Sequence, residues 1–78
     1  MIVDSKELPK LKKTDGRFKS WKKWMMPQAK FKSASGEVWE IISIDEYGNF
    51  ECYHKIEDRI YNLHCDVIAK QSPLSELE

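Results

Sequence analysis

The 78-residue chain has two cysteines, Cys52 and Cys65, too few for the disulfide framework that staples small secreted domains. It has no apolar run near the roughly 18 residues that cross a bilayer. Its amino end, Met1-Ile2-Val3-Asp4, lacks the apolar core of a signal peptide. These absences point to a cytoplasmic, reducing setting and to no membrane partner. Catalytic signatures are missing too: there is no glycine-rich phosphate loop, His-Glu-x-x-His or serine elbow. His64, Cys65 and Asp66 adjoin in sequence, but successive strand residues face opposite sides, so no base meets a nucleophile. The chain therefore reads as a non-enzymatic protein.

Cys52, His54, His64 and Cys65 raise the question of zinc, which needs four donors converging on one tetrahedral point. Their spacing is not that of a knuckle or ribbon, and strand parity sends His64 to the face opposite the other three. The simpler reading is two buried thiols acting as small hydrophobes, with His54 paired to Glu40 at an edge. A disulfide between Cys52 and Cys65 is geometrically conceivable, but a reducing compartment argues against it. No cofactor or metal is expected.

What is present is a strongly patterned stretch from Glu37 to Val67. Val38–Ile44, Phe50–Ile56 and Tyr61–Val67 read as three antiparallel strands. Asp45–Asn49 reads as a hairpin loop with Gly48 in the left-handed region. Closing that loop sets Ile44 beside Phe50, Ile42 beside Cys52, Glu40 beside His54 and Val38 beside Ile56. A second turn at Asp58-Arg59 pairs Ile56 with Tyr61, His54 with Leu63, Cys52 with Cys65 and Phe50 with Val67. Both closures select one buried layer: Val38, Ile42, Ile44, Phe50, Cys52, Ile56, Tyr61, Leu63, Cys65 and Val67. An alternative makes Leu63–Asp66 a tight turn into a short strand at Val67–Lys70.

Ala29–Ser33 reads as a further strand carrying Phe31, joined to Glu37 by the turn cluster Ser33-Ala34-Ser35-Gly36. Trp39 and Ile41 point away from the buried layer. A helix over about 15–26, started by Thr14 or Asp15, would cover them with Phe18, Trp21, Trp24 and Met25. Pro27 ends it. Residues 1–13 read as a basic arm and 71–78 as a polar tail, in which Ser72-Pro73 can also start one helical turn carrying Leu74 and Leu77. The expectation is one α+β domain over 14–70: a small, strongly bent antiparallel sheet of four to five strands with a short amino-terminal amphipathic helix.

The strand order over 27–70, with Val38-Trp39-Glu40-Ile41-Ile42-Ser43-Ile44 followed by Tyr47-Gly48-Asn49, resembles small SH3-like and Tudor-like barrels. That resemblance implies a barrel and a binding module for peptides, modified side chains or nucleic acid, rarely a catalyst. No paired surface aromatics of a proline-peptide groove or methyl-lysine cage can be placed. In size and in lysine and tryptophan content the chain also resembles small accessory proteins of large bacteriophages, which implies an inhibitor of a host enzyme.

Formal net charge is zero, but residues 1–32 hold ten Lys and Arg against three acids, +7, and residues 33–78 hold three against ten, −7. The halves can neutralise each other within the fold or between copies, which would allow a homo-oligomer through opposite-charge faces. They can also present an interaction face. Lys10, Lys12, Lys13, Arg17, Lys19, Lys22, Lys23, Lys30 and Lys32 interleave with Phe18, Trp21, Trp24 and Phe31. Ammonium groups attract phosphates and release counterions, and an exposed indole such as Trp21 can stack unpaired bases. The expected partner is RNA or single-stranded DNA, in a protein complex or alone. The alternative is an inhibitor or adaptor that blocks a cytosolic enzyme.

Overall fold

Side-chain alternation along Val38–Ile44 builds the sheet that the rest of the chain covers. In the computed structural model, which describes residue 3 and residues 5–74, five antiparallel strands form one sheet: β1 (Lys30–Lys32), β2 (Val38–Ile44), β3 (Asn49–His54), β4 (Arg59–His64) and β5 (Ser72–Pro73). Their order is β4-β3-β2-β1-β5. The sheet does not close on itself, so a small α+β fold is established and the expected barrel is not. The helices α1 (Leu8–Thr14) and α2 (Cys65–Ala69) flank it. The expected tail begins with β5, and its Leu77 lies outside the described residues.

The first hairpin forms as the sequence predicts near its turn. Gly48 has φ +84, Asp45 N–H donates to the Asn49 carbonyl, and Ile44 pairs with Phe50. Upstream the register differs. A bulge at Ile42 makes Ile41, not Ile42, the partner of Cys52, and Trp39, not Glu40, the partner of His54. An inserted residue reverses parity for everything before it. Ile41 and Trp39 therefore join the inner face, while Ile42 is left 41% exposed.

The second turn spans Lys55–Asp58, with Asp58 at φ +54. It closes on His54 and Arg59 and pairs Cys52 with Tyr61 and Phe50 with Leu63. The pairings Cys52–Cys65 and Phe50–Val67 are thus replaced. Ile56 and Val67 are exposed rather than buried, and Val38 is half-buried. The last strand stops at His64, whose Nδ1 accepts the Asp66 N–H at 3.2 Å and caps α2. Cys65–Ala69 is helix where the end of the strand expected through Val67 and most of the alternative strand over Val67–Lys70 would run.

The amino-terminal third inverts the expectation. Residues 8–14 are helical: Pro9 suits a helix start, Leu8 is buried with Leu11 packed beside it, and Lys12 and Lys13 sit in the last turn, where cations favour the helix dipole. Asp15, extended at φ −119, ends it and caps a single 3₁₀ turn at Gly16–Phe18. No helix covers 15–26. Phe18, Trp21 and Met25 are nevertheless all buried, because residues 18–26 follow consecutive tight turns, with bonds from Trp21 N–H to Phe18 O and from Met25 N–H to Lys22 O. A spacing of three is the period of such turns as well as of a helix face.

The core lies between this cover and the inner sheet face: Val3, Leu8, Phe18, Trp21, Met25, Phe31, Ile41, Ile44, Phe50, Cys52, Cys65 and Ile68. Among the described residues no helix is long and apolar enough to cross a membrane.

Candidate nucleic-acid interface

The turns at 19–24 place lysines around two open clefts. Lys12 and Lys13 at the end of α1 share the first with Thr14, Asp15, Gly16 and Lys19. The second is a groove of about 650 Å³ between Lys22 and Trp24 on one side and Lys70, Gln71 and Ser72 on the other. Lys19 and Lys22 are three residues apart, so their Cα atoms lie within about 11 Å. The two clefts can therefore lie along one basic track.

The aromatic members exchange roles relative to expectation. Trp21 is 5% exposed, and its indole N–H donates to the Met25 carbonyl at 2.8 Å. It belongs to the core and offers no surface for stacking. Trp24 is half-buried and lines the groove. It packs at 6.0 Å, tilted, against Phe31, which fixes the indole from beneath. Lys70 completes the groove although it lies in the acidic half of the sequence. Only the turn from α2 toward β5 brings it to Trp24, and nothing in the linear charge pattern marks it.

Arg17 is also reassigned. Its Nε donates to Asp15 Oδ1 at 2.9 Å and its Nη2 to Asp15 Oδ2 at 2.5 Å. These bonds hold the Asp15 carboxyl down to about 2 from the usual 3.8. The guanidinium thus fastens its own turn, with Tyr47 6.0 Å away. Lys10 and Lys23 are exposed, and neither lines either cleft. Lys30 and Lys32 alternate with buried Phe31 in β1, so they lie on the outer sheet face, where Lys32 pairs with groove-lining Ser72 across to β5.

His54 pairs with Glu37, not Glu40. It is 2% exposed, and its Nδ1 accepts the Glu57 N–H at 3.1 Å. The ring proton therefore sits on Nε2, 2.7 Å from Glu37 Oε2. Tyr61 donates to Glu57 and Tyr53 to Asp58, and the carboxylates raise both phenols above their ordinary value. The cluster pins the Lys55–Asp58 turn, and both His54 nitrogens are committed. Among the described residues no three His, Cys, Asp or Glu side chains converge to hold a metal. Cys52 and Cys65 are buried free thiols, which burial pushes up to about 12 and about 11.

The fold and site together are those of a small α+β protein with an open sheet and a lysine-lined cover. No protein-family model, curated protein or solved structure matches the chain.

Proposed function

We propose that this protein is a non-enzymatic binder of single-stranded nucleic acid, RNA or DNA, acting through the Trp24 groove and the lysines beside it. The observation that carries the reading is that Lys22, Lys70 and the half-buried Trp24 indole line one groove. A base stacked on an aromatic side chain contributes about 1–3 kcal/mol, and flanking ammonium groups add phosphate contacts that weaken with salt. Lys12, Lys13 and Lys19 extend the track for neighbouring phosphates.

The test is a salt titration of binding to labelled single-stranded RNA and DNA. Lys22→Glu with Lys70→Glu removes two phosphate contacts and should flatten the log–log salt slope by about 1.4. Trp24→Leu should weaken binding at every salt concentration, with thermal melts confirming that the variant folds. Lys30→Glu with Lys55→Glu, residues that line neither cleft, should change little. An unchanged slope in the first variant would sink this reading and favour an inhibitor or adaptor that binds a protein.

A further inference from the structure

We infer that β4 is a self-pairing edge, by which two copies of this chain join their sheets about a two-fold axis through Asn62. The two edges of the sheet are unlike. β5 has two residues, one of them Pro73, which is how proteins blunt an edge. β4 has six residues, Arg59–His64, with no proline, lysine or bulge.

The outward groups can be assigned. Cys65 N–H donates to the Gly48 carbonyl at 2.9 Å, in register with the pairs Phe50–Leu63, Cys52–Tyr61 and His54–Arg59. Antiparallel ladders alternate hydrogen-bonded and open pairs. Arg59, Tyr61 and Leu63 therefore bond to β3, Ile60 and Asn62 turn their N–H and C=O groups outward, and His64 turns its N–H outward while its carbonyl, at the helix N-cap, serves the first turn of α2. These three positions are symmetric about Asn62. A second β4 running antiparallel sets Ile60 opposite His64 and Asn62 opposite its own copy, closing both bonds of the Asn62 pair and one bond from each His64 N–H to the facing Ile60 carbonyl, without placing an inner-face residue on the outer face.

The occupant is a second copy because the pattern is self-complementary and the chain's formal net charge is zero, so copies do not repel. The same register sets Arg59 across from Cys65 of the second copy, one residue from Asp66. Ile60, 58% exposed in one copy, gains a neighbour in the pair.

The test uses nuclease-treated full-length protein. Its mass by light scattering at high concentration should be twice the 9.2 kDa of one chain, and Ile60→Lys should halve it while leaving the circular dichroism unchanged. The axis makes Asn62→Cys diagnostic. Opposed Cα atoms in a hydrogen-bonded pair lie about 5.5 Å apart, within disulfide reach. Glu51→Cys, one strand further in, is separated from its copy by three strand spacings, about 14 Å, and should not cross-link. A single-chain mass would overturn the proposal and leave the edge to an extended segment of another protein. A dimer that Ile60→Lys leaves intact, and that Asn62→Cys does not lock, would overturn it too.

Discussion

Replacing Gly48 separates two costs that usually arrive together. At φ +84 a side chain there meets the left-handed penalty, about 1–2 kcal/mol. An added Cβ would also stand 3.0 Å from both Arg17 Cβ and the Arg17 carbonyl oxygen. That backbone cannot swing aside, because the Arg17 N–H and guanidinium are both bonded to Asp15. Overpacking of this kind costs about a further 1–3 kcal/mol. Gly36 supplies the control: its φ is +87, but a Cβ would meet only the flexible Lys32 Cε at 3.9 Å. Gly36→Ala should therefore lose the conformational part alone, and Gly48→Ala both parts. In a domain of this size about 1 kcal/mol moves Tm by 4–8 °C. Thermal melts should place Gly48→Ala at least about 4 °C below Gly36→Ala, with Gly48→Val lower still. Equal losses would show that the Arg17 contact yields freely. No loss in either variant would refute the left-handed turns themselves.

The folded-state pKa of Asp15 lies below its ordinary value, so its pairing with Arg17 stabilises the fold fully above about pH 4 and loses that effect as pH falls through about 2. Denaturant melts of wild type and Asp15→Asn should thus differ at neutral pH and converge in that acid window, and a constant gap would contradict the pairing. Cys52 and Cys65, raised to about 12 and about 11 by burial, should resist iodoacetamide at mildly alkaline pH in the native protein. Both should react promptly in denaturant, and mass spectrometry counts the adducts; fast native labelling would mean the thiols are accessible.

The hairpin at Gly48 was legible because glycine at a left-handed position and the alternation around it agree. The register before Ile42 was not, since Ile41-Ile42 offers two adjacent apolar residues and no local signal for which one is extruded. The positions of β1 and β2 and the turn at 33–36 were readable from pattern and turn residues. Cys65 looked like a strand residue because Leu63 and Val67, two positions to either side, continue the apolar alternation of a strand. His64 as a cap became visible only in three dimensions, since histidine is not a habitual cap. At the site, the lysine-rich segment was evident from composition, but whether Trp21 or Trp24 faces solvent depends on which indole N–H finds a carbonyl. Lys70 was invisible for a different reason: its neighbours in space are not its neighbours in charge.

Val3 has a meaning for how this protein comes into being. Its N–H donates to the Ile44 carbonyl at 2.7 Å and its side chain is buried, so the start of the chain docks on a strand more than forty residues away in sequence. The seven residues of α1 are too few to hold a helix alone in water, and Leu8 has no core to enter until Ile44 and Phe50 exist. During synthesis this cationic segment is made before the hairpin on which it docks, so its docking follows the formation of that hairpin.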